Sequence, residues 1–245
     1  FGKNFNFFQS SSGQYWMEIW PTEPHVVIPV PVLDPSAGGG ENVPVPPGVV
    51  QSFHKTNPSY ASDEHLLTGP NQHSRDRGSA CCLRLEPVYY QDLLHNQTHN
   101  NNTNSNTTML IQQQPYLLVG ISHAKANQQL KVINTRTFLS RLYAFVPVKP
   151  FHVVAKSPLF CFANVDQTTP APYYNLTHRK HLLVGGHDYK DCPTIHFVSG
   201  ITENPNDPTR AVVAYGIEDC VSRMIELHKR DLALRLFTTL DTQVR

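Results

Sequence analysis

The chain has 245 residues, enough for one large domain or two small ones with a sizeable core. A formal net charge of +1 argues against an electrostatic nucleic-acid binder, and no apolar run approaches the ~18 residues of a membrane-spanning helix. Hydrophobic residues make up 40%, charged residues only 16%, and there are 20 prolines, a balance that suits a loop-rich β protein better than a helical one.

The first thirty residues read as short strands between turns. An aromatic run from Phe5 to Phe8 meets the turn Ser10-Ser11-Ser12-Gly13. Tyr15 to Trp20 follows, and Pro24-His25 leads into VVIPV. Residues 31–76 contain PSAGGGENVPVPPG and a polar stretch, so a loop-rich excursion is expected there. Arg77-Gly78-Ser79-Ala80-Cys81-Cys82-Leu83-Arg84-Leu85 opens the next strand. The Asn/Thr/His tract at 91–108 is of low complexity and predicts a disordered insertion within a hairpin.

Tyr116 to Ser122 predicts a strong strand ending at His123. Arg141–Val148 and Phe151–Ala155 are further strands, residues 163–191 are loop-like, and His181–Val184 is a short strand. IHFVSGI then runs through the polar turn ENPNDPTR into AVVAYGIED. VSRMIEL follows, and Asp231–Leu240 forms a short terminal helix. The five cysteines (Cys81, Cys82, Cys161, Cys192, Cys220) lack metal-site spacing and read as buried small hydrophobes. Their odd number leaves at least one outside any intramolecular disulfide.

Three units share one order: a lead-in strand, a turn, then a strand ending on polar groups. They are FNFF–turn–YWMEIWPTEPH, SACCLRL–insertion–YLLVGISH and FVSGITE–turn–AVVAYGIED. Their spacing of roughly 70–100 residues exceeds the usual ~40–50 of a propeller blade, and the insertions account for part of the excess. Repeated hairpins with long outer loops point to a β-propeller, whose strand ends gather near a central channel. A β-sandwich is the plainer alternative.

The candidate site residues sit at those strand ends. Asp219 ends AYGIEDC beside Glu218; neighbours in a strand face opposite ways, so one of the two faces a site. A carboxylate there holds sugar hydroxyls, or transfers a proton if suitably tuned. His123 and Lys125 end the middle strand and suit a phosphate or sugar hydroxyl. Arg77 precedes Gly78-Ser79, a cation beside turn amides that favours an anion. Lys3-Asn4 is the matching tip of the first unit, while Tyr215 and Trp16 could supply aromatic surface but are better explained by core packing. There is no phosphate-cradling loop, dinucleotide glycine fingerprint, nucleophile elbow or zinc-type histidine pair, so no cofactor and no metal is expected.

At these motifs the chain resembles the β-mannoside phosphorylase and β-1,2-mannosyltransferase group of five-bladed β-propellers. IHFVSGI with AVVAYGIED looks like the group's penultimate strand and its YYG-x-x-D strand. RGSACC with YLLVGISHAK looks like its Gly/Ser-rich strand and its YHG or SH strand, and GKNFNFF with WPTEPHVV is similar to KNW-x-x-F with PH-x-V. The resemblance implies an all-β chain holding about three of five blades, with a short C-terminal helix, as the C-terminal part of one propeller domain.

It further implies that His123 and Asp219 line the central pocket and that Arg77 contacts phosphate or a donor phosphate, with Lys3 carried over from the first unit. The group's catalytic aspartate and main arginines would lie upstream of Phe1. The implied activity is inverting glycosyl transfer, phosphorolysis or hydrolysis of β-mannosides or related glycans. The implied partners are a carbohydrate with phosphate or a nucleotide-sugar donor, but neither nucleic acid nor a membrane. The chain departs from the group's pattern at Glu218 and at Ser122-His123-Ala124. A non-catalytic sugar-binding or interaction propeller is the alternative. Asn-X-Ser/Thr acceptors at Asn96, Asn101, Asn106 and Asn175 suit a Golgi or extracellular location, and nothing else selects against the cytoplasm.

Overall fold

The computed structural model describes residues 5–21, 25–30, 50–52, 77–94, 105–130, 133–162, 195–217 and 220–237. They build three antiparallel sheets. The first contains β1 (Asn6–Gln9), β2 (Tyr15–Trp20), β3 (His25–Pro29) and β4 (Val50–Ser52). The second contains β5 (Arg77–Leu85), β6 (Leu117–Leu130), β7 (Ile133–Phe145) and β8 (Val153–Lys156). The third contains β9 (His196–Asn204), β10 (Asp207–Ile217) and β11 (Val221–His228). Helix α1 (Ser105–Gln112) lies between β5 and β6, and helix α2 (Lys229–Phe237) follows β11. Within each sheet the spatial order is the chain order, so every pairing is between sequence neighbours.

The second sheet is packed on both faces, and the alternation of its side chains divides it between two cores. Leu117, Val119 and Ile121 of β6, with Leu142 and Ala144 of β7, join Val198, Ile201, Ala211, Val213, Tyr215 and Ile217 of the third sheet. The intervening Leu118, Tyr143 and Phe145 join Phe8, Trp16 and Val27 of the first sheet, together with Phe151 and Val153. Two-sided burial explains why Tyr116–Ser122 reads as a continuous apolar run rather than an alternating one. Outer strands keep the alternation: on β1, Asn6 and Phe8 are buried while Phe7 and Gln9 are exposed. The leading strands also meet, with β5 lying against both β1 and β9.

Helix α2 closes the second core. Leu232, Ala233, Leu236 and Phe237 share its buried face, and it packs on β7, β8, β10 and β11. Asp231 in its first turn and Arg235 in its last suit the helix dipole. Phe151 has φ of 59°, an uncommon conformation for a bulky residue. Its ring is fully buried between Phe8 and Trp16, at 5.3 and 4.9 Å between centroids, and that burial offsets the backbone cost.

The strands expected around Phe5–Phe8, Tyr15–Trp20 and VVIPV, and those starting at Arg77 and in the final stretch, are all present. Other expectations need correction. His123 does not end its strand: β6 continues to Leu130, because Ala124–Leu130 finds ladder partners in Ile133–Leu139 of β7. Backbone pairing carries the strand past the point where its apolar character stops. Part of the 91–108 tract is ordered: Leu93 and Leu94 are buried, and α1 starts at Ser105, anchored by buried Thr108 and Ile111. Residues 95–104 lie outside the described residues.

Within the 31–76 excursion, Val50–Ser52 pairs with β3, and the rest lies outside the described residues. The turn between β9 and β10 is tighter than ENPNDPTR suggests. Only Pro205-Asn206 bridges the strands, and Asn204 Oδ1 accepts from the Asn206 N–H at 2.9 Å. The terminal helix begins at Lys229 rather than Asp231. The expected strand at His181–Val184 and the loop at 163–191 lie outside the described residues. The cysteines are not all buried small hydrophobes: Cys81 and Cys82 are disulfide-bonded to each other, Cys161 is disulfide-bonded, and Cys220 is free and exposed.

Candidate functional site

Antiparallel meanders place the start of the first strand, the end of the second and the start of the third at one end of a sheet. In the first sheet this end holds Asn6, Glu18 and His25. In the second, Arg77, His123 and Ser140 are successive register partners at the start of β5, while β6 and β7 run on beyond them to Leu130 and Ile133. In the third sheet this end holds His196, opposite Ile217. Contacts between sheets form two buried polar clusters, one joining the first sheet's group to Tyr143 and Phe151 and the other joining His196 to Ser140.

The cluster between the first and second sheets centres on Glu18. Asn6 Nδ2 and Tyr143 Oη donate to its Oε2 at 2.9 and 2.7 Å. Its Oε1 lies 2.9 Å from His25 Nε2, and His25 Nδ1 lies 2.7 Å from the Phe151 carbonyl. The carboxyl and imidazole side chains are 1% and 0% exposed, so water does not share these contacts. A Cβ at Gly120 would fall on the Tyr143 ring and hydroxyl, so glycine is what lets this tyrosine cross β6.

The cluster between the second and third sheets centres on His196. The Phe162 N–H donates to its Nε2 at 3.2 Å, which fixes the proton on Nδ1, and Nδ1 donates to Ser140 Oγ at 3.1 Å. Burial, with the nearby His123 as a second influence, depresses the His196 pKa to about 4. His123 is buried, with the Phe197 ring at 5.3 Å and the Phe138 ring at 6.1 Å. This cluster holds one neutral imidazole, His196, in a fixed tautomer beside a second histidine, His123.

The opposite end of the sheets is tied by ion pairs. Lys229 is 1% exposed and donates to Glu203 at 2.6 Å and to Glu86 at 2.9 Å. Burial works against its charge, but the hydrogen bonds it donates to Glu203 and Glu86 outweigh it and raise the Lys229 pKa. Arg230 grips Asp92 through two guanidinium contacts of 2.6 Å and lowers that carboxyl's pKa. These bonds tie α2 to the chain segment after β5 and to the far end of β9 from His196.

The structure therefore brings some candidates together and leaves others out. Arg77 and His123 sit opposite each other on β5 and β6. Tyr215 is buried rather than presented to a ligand; its ring packs 4.7 Å from Phe162 and 5.7 Å from His196. Trp16 is likewise buried, at 2% exposed. Lys125 lies on β6 opposite Phe138. Asp219, Glu218 and Lys3 lie outside the described residues.

Sequence reasoning passed over Glu18, Ser140, Tyr143 and His196, and treated His25 only as part of a motif. The signal for Glu18 was its shared phase with Trp16 on β2, a carboxylate in the inward register of an apolar strand. Among the described residues no cluster of three His, Cys, Asp or Glu side chains is arranged to hold a metal ion. No helix among them is long and apolar enough to cross a membrane. No family model, curated protein or solved structure matches the chain.

Proposed function

We propose that the three sheets are consecutive blades of a β-propeller that acts on carbohydrate, with β-mannosides or related glycans as substrates. The observation that carries this reading is the arrangement of the sheets: each is a local meander, and their leading strands β1, β5 and β9 adjoin in sequence. A propeller has this construction, with leading strands around the axis and ligand groups at one end of it. Exposed Phe5, Phe7 and Tyr15 give the first sheet an apolar outer surface of the kind a further blade covers. Sugar-holding roles for His123 and Asp219, and an anion-holding role for Arg77, follow from the motif resemblance. His123 and Arg77 occupy facing strand positions on β6 and β5.

In this reading an acid outside the residues discussed protonates the leaving oxygen. Phosphate, water or a sugar hydroxyl then attacks the opposite face with inversion. The state of Glu18 favours a second reading, sugar binding without catalysis. This carboxylate at the polar end is buried and bonded through both oxygens, which removes it as an acid for a bound glycan.

The test uses protein that includes this chain, with a glycan array followed by phosphate-release and reducing-sugar assays on the mannosides bound. His123→Ala and Asp219→Ala should each weaken mannoside binding at least about tenfold, a loss of ~1.4 kcal/mol. Binding unchanged in both variants removes the proposed site. Binding without any turnover selects the non-catalytic reading.

A further inference from the structure

We propose that Cys81 and Cys82 form a reversible redox site, a disulfide between chain neighbours that small thiols open and that governs the shape of β5 beneath the first sheet. The two cysteines are bonded to each other. Neighbours in a regular strand point to opposite faces. Here both pack against the core of Phe8, Trp16 and Tyr143, while Ala80 and Leu83 on either side turn to the other core. The register explains this. Ala80 pairs with Ile121 and Leu83 with Val119, so two residues of β5 oppose Gly120 alone. Such a bulge brings both sulfurs to one side of the strand.

The bond does not act as a staple. A disulfide restrains the unfolded chain more as it encloses more residues, and none lies between these two. What it holds is local: a bulge facing Gly120, where the Tyr143 ring crosses β6. β5 lies against β1 and β2, so a change in the bulge is felt where the first sheet docks. Once the bond opens, the unbonded sulfurs need more room, and nothing keeps both side chains on one face.

Both cysteines are half-buried, within reach of a dissolved thiol, whereas Cys161 is 0% exposed. A glutathione thiolate attacks one sulfur, forms a mixed disulfide and releases the other cysteine as a thiolate. A second glutathione thiolate attacks the glutathione sulfur of the mixed disulfide, frees the first cysteine and leaves as glutathione disulfide. Each released thiolate takes up a proton. Two electrons pass from two glutathiones to the pair, and glutathione disulfide reverses both steps.

The experiment uses folded protein that includes the full chain, with the exposed free thiol removed as Cys220→Ser. After glutathione treatment, iodoacetamide should label Cys81 and Cys82 in peptide mass spectrometry and leave Cys161 unlabelled. Glutathione disulfide should abolish that labelling. In hydrogen exchange, the amides from Ala80 to Leu83 and that of Gly120 should exchange about tenfold faster in the reduced protein. A Cys81→Ser, Cys82→Ser double variant should exchange at the reduced rate with or without glutathione. If that variant does not fold, the comparison of the two redox states of the Cys220→Ser protein decides alone. Labelling that requires urea, labelling that glutathione disulfide does not prevent, or equal exchange in the two states overturns the proposal.

Discussion

Gly120→Ala adds one methyl group at the most crowded crossing in the structure. Gly120 on β6 lies directly opposite Tyr143 on β7, and the new Cβ would come within 2.7 Å of Tyr143 Cε1 and closer still to its hydroxyl and Cζ. Tyr143 is fully buried and cannot swing into solvent without leaving the core. Two losses follow. The hydroxyl gives up its 2.7 Å bond to Glu18 and leaves a buried carboxyl oxygen short of a donor, at a cost of about 1–3 kcal/mol. The surrounding core is overfilled, at a cost of about 1–3 kcal/mol. Alanine in place of glycine within a strand returns about 0.5–1 kcal/mol. The net expectation is about 3 kcal/mol of destabilisation.

Urea unfolding read by the fluorescence of buried Trp16 measures this directly. The contact predicts coupling as well as loss: in a Tyr143→Ala background, Gly120→Ala should cost less than about 1 kcal/mol, because the ring it strikes is gone. A Gly120→Ala protein within ~0.5 kcal/mol of wild type refutes the crossing argument, and so does full additivity with Tyr143→Ala.

Two further outcomes follow from the charged and titrating groups. His196 is kept neutral in the fold down to about pH 4, whereas the unfolded chain protonates it from about 6.5. The unfolded state binds more protons in that window, so stability should fall as pH drops from 6.5 towards 4, by about 3 kcal/mol at most. His196→Gln keeps an acceptor for Phe162 and a donor for Ser140, and should flatten this acid limb in pH-dependent urea titrations; an unchanged limb assigns it to other groups. Lys229→Met should cost about 1–2 kcal/mol, because Glu86 and Glu203 are 41% and 46% exposed and rehydrate when the ammonium is lost. The raised Lys229 pKa means its contribution is complete below the ordinary lysine value of ~10.4 and disappears only above it. Thermal melts at pH 7 and pH 11 should therefore show a gap between wild type and variant that narrows at the higher pH.

Strand order and most strand positions were legible because each sheet is assembled from sequence neighbours. On β10 the inward set Ala211, Val213, Tyr215 and Ile217 follows the period of two that identifies a strand with one buried face. The end of β6 was not legible. Ala124–Leu130 has little apolar patterning, and its strand state depends on the matching ladder in β7. Helix α1 was hidden by the low complexity of the tract that precedes it, although Ile111 reaches the core.

The candidate site was legible only in part. His123 could be singled out from its strand, but its companion His196 lies 73 residues away and joins it only through packing of the second sheet on the third. Glu18 meets Tyr143 across a separation of 125 residues, and no local pattern announces such a contact. Tyr215 shows the reverse limit: an aromatic in an inward register reads as core before it reads as ligand surface, and here it is core.

The two-sided burial of the second sheet bears on how the chain can drift during evolution. A strand with one wet face leaves every second position open to exchange, so its family history keeps a visible rhythm. From Leu117 to His123 on β6 every residue is buried, and from Leu139 to Phe145 on β7 the same is true. Neither stretch has a permissive phase, and a change on one face must be accommodated by a neighbouring sheet rather than by solvent. Sequence change in this chain is therefore expected to accumulate along β10 and β11, where Val212, Ala214 and Met224 reach the surface, and to leave the middle sheet as the most slowly changing part.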